Sequence, residues 1–177
     1  MAGYDYAQAS RRHRALRRLG AGRVVAWLAA RILHRIDNVV YRVSRGRTTF
    51  SAALTGFPVV MLTTTGARSG LARTVPLLGL PDGDRVVVIA SNYGQRHHPA
   101  WYHNLRTNPR AVLVVAGRRT DVRARMLAGE ERERWFRRGA EINPGWVQYR
   151  QRAANREIPV IMLEPVGTEP GGPGGPG

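Results

Sequence analysis

The sequence predicts an α+β fold that is mainly β: six short strands in a small antiparallel barrel, flanked by short helices and preceded by an amphipathic N-terminal helix. Three observations predict it. The chain has 177 residues, 43% of them hydrophobic, which suffices for the core of one domain and leaves no room for a second catalytic one. From about Phe57 to Val166, short β-rich runs alternate with turn residues. Ahead of them, residues 1–45 follow helical spacing instead.

In the N-terminal zone Val25, Leu28, Ile32, Ile36 and Val39 recur three and four residues apart, while Arg31 and Arg35 fall on another face. This is a basic amphipathic helix, suited either to packing on the domain with a solvated arginine face or to lying on an anionic membrane surface. Its longest apolar stretch, 24–30, is far short of the roughly 18 residues that span a bilayer, and no secretory cleavage pattern follows. The expected location is cytoplasmic, with peripheral attachment to the inner face of the cell membrane as its extension.

Strands are expected at 58–65, 73–80, 85–91, 111–116, 120–127 and 158–164. Pro81-Asp82-Gly83-Asp84 and Ala116-Gly117-Arg118 read as hairpin turns, and Gly66-Ala67-Arg68-Ser69-Gly70 as a longer one. Two helices interrupt the strands. The first, at 99–105, starts with a proline suited to a first helical turn. The second, at 130–142, has Glu130, Glu131 and Glu133 leading and Arg137 and Arg138 trailing, the order that the helix dipole favours. Glu130 with Arg134 and Glu133 with Arg137 form i,i+4 pairs, read as a solvated face. After Glu164 the chain runs into Gly and Pro and has nothing to bury. The expected organisation is a basic helical segment at 1–50, a barrel at 51–166 and a disordered tail at 167–177.

Composition narrows the chemistry. All 28 basic residues are arginine, against 12 acidic ones, for a net charge of +16. Without lysine there is no Schiff-base chemistry and no Walker-type phosphate loop. Without cysteine there is no disulfide, thiolate nucleophile, iron–sulfur cluster or cysteine zinc site, so redox work requires a bound organic cofactor. The charge predicts an acidic partner: nucleic acid, an anionic membrane or a polyanionic small molecule.

Three stretches carry candidate chemistry. In Thr63-Thr64-Thr65-Gly66-Ala67-Arg68-Ser69-Gly70-Leu71-Ala72-Arg73, a Gly-bounded turn presents a guanidinium and a hydroxyl, with Arg73 returning at the next strand. Converging N–H groups and two cations suit a phosphate, although an ordinary polar hairpin reads the same way. In Ala90-Ser91-Asn92-Tyr93-Gly94 an apolar strand ends in small polar residues, as where backbone approaches a planar ligand or where a strand simply stops. The third, His97-His98-Pro99-Ala100-Trp101-Tyr102-His103-Asn104-Leu105, holds three histidines. His98 and His103 point to different helix faces, no carboxylate lies near, and no HExxH pattern occurs, so no metal site is predicted. A Ser91–His hydrolase pair would lack the GxSxG elbow.

Together, Thr65-Gly66-x-Arg68-Ser69-Gly70-x-x-Arg73-x-x-Pro76, then Ser91-Asn92-x-Gly94, then Pro99-x-Trp101-Tyr102-x-Asn104-Leu105-x-x-Asn108-Pro109 and Ile158-Pro159-Val160 resemble the deazaflavin-dependent nitroreductase family of split β-barrel oxidoreductases. The resemblance covers about 58–165. It implies a split barrel similar to the FMN-binding one, holding coenzyme F-420, whose phosphate and glutamate tail would account for a basic groove; FMN itself is the lesser alternative. By the same resemblance Arg68, Ser69 and Arg73 would bind the phosphate and tail. Ser91, Asn92, Ala100, Trp101 and Asn104 would line the deazaflavin, with Thr63 and Thr65 sharing that wall. The implied activity is hydride transfer from the reduced cofactor to an electrophilic acceptor, a quinone, enone or nitro compound, with a nearby hydroxyl or solvent supplying the proton. Tyr149 and Ser91 are the candidate catalytic hydroxyls.

The acceptor pocket of the family, commonly lined by tyrosines three apart, corresponds here to Asn143, Trp146 and Tyr149. Only Tyr149 keeps a phenol, which weakens the case for nitroimidazole reduction and favours quinones or planar enones against Trp146. Ala67 stands where relatives often carry a cation, which implies one weaker tail contact. Split barrels of this type often pair, so a homodimer is expected. Two other readings remain: a nonspecific nucleic-acid binder, marked by charge but lacking any readable recognition motif, and a noncatalytic F-420 carrier.

Overall fold

The computed structural model describes residues 59–153 and 156–167. The expected N-terminal helix, the first residue of the first expected strand and most of the Gly/Pro tail lie outside those residues. Six strands are present: β1 (Val59–Thr65), β2 (Ala72–Asp82), β3 (Arg85–Ile89), β4 (Arg110–Val115), β5 (Arg118–Met126) and β6 (Val160–Pro165). All neighbours are antiparallel, and the order β1-β2-β3-β6-β5-β4 closes into a barrel through the pairing of β4 with β1. The hairpins form where small turn residues allow them. Ala116 and Gly117 both take positive φ, 48° and 81°, the combination a two-residue primed turn requires.

Alternation along the strands separates two cores. Val60 and Leu62 of β1, Val86 and Val88 of β3, Leu113 of β4, Val122 of β5 and Ile161 and Leu163 of β6 fill the barrel interior. The intervening residues Val87, Ile89, Val160 and Met162 face outward into a second core. β3 and β6 are thus buried on both sides, which explains their uninterrupted apolar runs.

Three helices complete the described fold. Helix α1 (Ala100–Thr107) contributes Trp101 and Leu105 to the barrel interior. Helix α2 (Gly129–Ile142) and helix α3 (Gly145–Arg152) cover the outer face of β3 and β6 with Trp135, Phe136, Ile142, Trp146 and Tyr149. Each such side chain removed from water contributes about 1.5–3 kcal/mol.

The i,i+4 pairs expected on α2 are not what the charges make. Glu133 binds Arg150 of α3 at 3.0 Å and Arg132 beside it, and Glu131 binds Arg125 of β5 at 2.9 Å. Glu131 and Glu133 therefore tie α2 to its neighbours, because cross-element arginines reach those carboxylates. Helix α3 falls in a stretch where Gly145 and two glutamines blur any periodic signal. Strand β3 ends two residues earlier than expected. Ala90 N–H bonds to the Pro159 carbonyl, and the chain then turns away at Ser91.

Candidate functional site

The turn between β1 and β2 is held from inside. Gly66 N–H donates to the Leu71 carbonyl and Gly70 N–H to the Gly66 carbonyl, at 2.9 and 2.8 Å. Ser69 Oγ accepts from Leu71 N–H at 3.4 Å. A Cβ on Gly66 would stand 2.7 Å from Ser69 Oγ and 3.2 Å from the Leu71 carbonyl, so any larger residue would displace the serine hydroxyl. Asn104 of α1, buried, bridges to this turn: its Oδ1 accepts from Ala67 N–H and its Nδ2 donates to Thr64 Oγ1, both at 2.9 Å. Arg68, Ser69 and Arg73 are thereby presented at the surface on a braced loop, and neither arginine has an ion-pair partner among the described residues. Thr63 and Thr65 follow on the outer face of β1, Thr63 sharing a 2.8 Å hydroxyl contact with Thr74 of β2.

The second stretch forms a sharp corner. Asn92, Tyr93 and Gly94 take φ of 47°, 55° and 76°, a left-handed run within a short 3-10 turn. Gly94 must be glycine twice over, since an added Cβ would also lie 2.9 Å from the Tyr149 carbonyl. Asn92 Nδ2 donates to the His97 carbonyl at 3.0 Å. Ser91 is buried and its carbonyl accepts from Gly94 N–H and from Arg156 Nη2, at 3.0 and 2.8 Å. Arg156 also donates to the carbonyls of Ala90 and Gln95 and to His98 Nδ1. Sequence reasoning did not find Arg156, whose local context, two residues ahead of Ile158-Pro159, gives no signal of these bonds.

Helix α3 meets the corner from the other side. The Tyr93 and Tyr149 rings stand edge to face with centroids 6.0 Å apart. Tyr149 is buried, which pushes its phenol above the usual range, with Arg152 opposing the shift. Trp146 is buried deeper, against Gly139 and Ile89, where a Cβ on Gly139 would lie 2.3 Å from the indole. Asn143 Oδ1 accepts from Gly145 N–H at 3.1 Å, bracing the start of α3. The structure thus joins Tyr149 to the Ser91–Gly94 corner but turns Trp146 into the core, and Asn143 caps a helix. Tyr93, which sequence reasoning did not single out, faces Tyr149 instead.

In α1, Ala100 is exposed at the first turn while Trp101 points into the barrel. His98 stacks at 4.7 Å on Tyr102 and lies 5.8 Å from His103. Burial first, then the charges of Arg156, His103 and Arg106, hold His98 below its ordinary value. A cationic guanidinium on Nδ1 is a poor neighbour for a metal ion, and no group of ligating residues clusters among the described ones.

Comparisons with known proteins bear on what this site serves. The family model described as "F420H(2)-dependent quinone reductase" matches residues 33–165. An F420H(2)-dependent quinone reductase of Mycobacterium tuberculosis is 32% identical over 143 residues, covering 77% of this chain and 95% of that protein. A solved structure described as an F420-H2 dependent reductase is 38% identical with a TM-score of 0.56, covering 60% of this chain and 94% of its own. Another, described as a domain-swapped dimer, is 34% identical with a TM-score of 0.59 and covers 72% of this chain and 95% of its own.

Proposed function

The chain belongs to the F420H(2)-dependent quinone reductase family, and from that premise we propose that its braced turn and left-handed corner are the two halves of a coenzyme F-420 site. The activity is that of an oxidoreductase using reduced F-420, with a quinone as acceptor. The observation that carries the site is the turn itself: two exposed guanidiniums without carboxylate partners among the described residues and a serine hydroxyl, on a loop that Asn104 fixes from below. That donor set fits a phosphate and a carboxylate tail.

Arg68, Ser69 and Arg73 hold the anionic end. Ser91, Asn92, Ala100, Thr63 and Thr65 bound the ring, with Trp101 and Asn104 supporting the wall from beneath. When bound, the reduced deazaflavin supplies a hydride. The chain's part is to orient, exclude water and hold a proton. Tyr149, kept neutral by burial, retains its hydroxyl proton, and Ser91 stands at the adjoining corner. With Trp146 in the core, Tyr93 and Tyr149 form the aromatic wall beside the corner, which suits a flat acceptor such as a quinone or enone. A nitro compound is a secondary acceptor on this reading. A second copy of the chain and an anionic membrane surface, the latter reached through residues 1–50, complete the proposed partners.

The test is titration with F-420 and FMN at near-physiological salt, followed by turnover with menaquinone. Selective saturable binding of F-420 with quinone-dependent oxidation is the expected result. Binding without turnover makes the protein a carrier, and no selective binding means that the barrel has lost its cofactor site and leaves the basic charge to be explained by nucleic acid or membrane. Tyr149→Phe is expected to slow single-turnover oxidation of the bound reduced cofactor, and an unchanged rate removes Tyr149 from proton delivery. Liposome flotation of the full chain against one starting at Phe50 tests membrane attachment, which equal soluble recovery dismisses.

A further inference from the structure

The corner at Ser91–Gly94 is costly to hold, because two non-glycine residues in succession sit in the left-handed region. Local bonds hold its inside, from Gly94 N–H to the Ser91 carbonyl and from Gln95 N–H to that of Asn92, both at 3.0 Å. The segment from Ala90 to His98 is neither strand nor regular helix apart from one 3-10 turn, and its carbonyls at three positions converge on one side chain. Arg156 Nη2 donates to the Ser91 carbonyl at 2.8 Å, Nε to that of Gln95 at 3.1 Å, and Nη1 to that of Ala90 at 3.3 Å and to His98 Nδ1 at 3.0 Å. Among the described residues this guanidinium has no carboxylate partner, so its hydrogen-bonding capacity goes to shaping backbone.

We propose that Arg156 is the positioning residue of the cofactor site: one planar guanidinium clamps both flanks of the left-handed corner and thereby sets the surface that Ser91 and Asn92 present to the deazaflavin. The proposal rests on the reading of that corner as the ring-binding wall. Arginine is required by geometry. Its fixed fork sends N–H groups in several directions at once, whereas a lysine ammonium is a compact donor on a flexible stem. Arginine cannot accept, so the 3.0 Å contact fixes Nδ1 of His98 as the acceptor and puts the imidazole proton on Nε2. Among the described residues the groups around that ring are Arg156, Arg106, His103 and Tyr102, cations and aromatics without a carboxylate. The tautomer of His98 therefore reports whether the clamp is closed.

The experiment uses the full chain with Arg156→Gln, Arg156→Lys and, as control on the reading, Asn92→Ala. Arg156→Gln is expected to raise the dissociation constant for oxidised F-420 about tenfold, and Arg156→Lys not to restore it. Nitrogen NMR of His98 is expected to show the Nε2–H tautomer in the parent and a mixture in both arginine variants. Millimolar guanidinium added to Arg156→Ala is expected to recover part of the affinity, which loss of fold would not allow. Wild-type affinity in Arg156→Gln and Arg156→Lys, with Asn92→Ala weakened, overturns the positioning role while leaving the corner as the cofactor wall. Unchanged affinity in all three variants overturns both. Should Arg156→Gln fail to fold, wild-type affinity and tautomer in Arg156→Lys overturn the proposal.

Discussion

At the scale of single residues, Asn104 shows how a motif position serves structure before ligand. Its amide spends both ends on bonds spanning 37 and 40 residues, to Ala67 N–H and Thr64 Oγ1. Asn104→Ala takes the acceptor from Ala67 N–H and leaves Thr64 Oγ1 with only its long 3.5 Å bond to the Arg73 carbonyl, and is expected to cost about 1–3 kcal/mol, read from urea denaturation, and to weaken F-420 binding as the turn loosens. A sequence marks Asn104 as part of a block but cannot show such long-range partners; Arg156 is invisible for the same reason. His98 yields a pH prediction. Its folded value lies below the 6.5 of the unfolded chain, so the unfolded state binds more protons on acidification. Its contribution to stability is then complete above 6.5, falls as pH drops from there through the lower folded value, and levels off below it. Between about pH 7 and 5 the parent should lose more stability than His98→Asn, and equal slopes would refute this.

At the scale of elements, the strands were the most legible feature, because alternation and turn residues act over a few positions. Every expected strand within the described residues is present, with ends shifted by one or two residues where cross-strand partners such as Pro159 decide them. Two helices were legible from their ends and charges, α1 from Pro99 and α2 from its leading glutamates and trailing arginines. Helix α2 has a clear apolar stripe, but its carboxylates choose Arg125 and Arg150, partners set by the barrel. Helix α3 is held by close approach, with the Trp146 indole laid across Gly139. Gly139→Ala would raise helix propensity, yet its methyl would enter space the indole and Ile89 occupy. Overpacking outweighs propensity here: a net loss of about 1–3 kcal/mol is expected by calorimetry, and a gain would mean the two helices can slide apart freely.

At the scale of the whole molecule, a net charge of +16 and the two exposed arginines of the β1–β2 turn act over different distances. The overall field draws any anion and is screened beyond roughly 8 Å at physiological salt. The turn acts at contact. For F-420, the association rate should therefore fall steeply as salt rises, while the dissociation rate, governed by the turn and the ring wall, should change little. Arg68→Gln combined with Arg73→Gln removes only 2 of the 16 net charges but takes away the contact cations, so it should speed dissociation far more than it slows association. Stopped-flow measurement at low and physiological salt separates the two. A variant whose loss lies wholly in the association rate would make these arginines part of the general field, and would move the phosphate site elsewhere on the barrel.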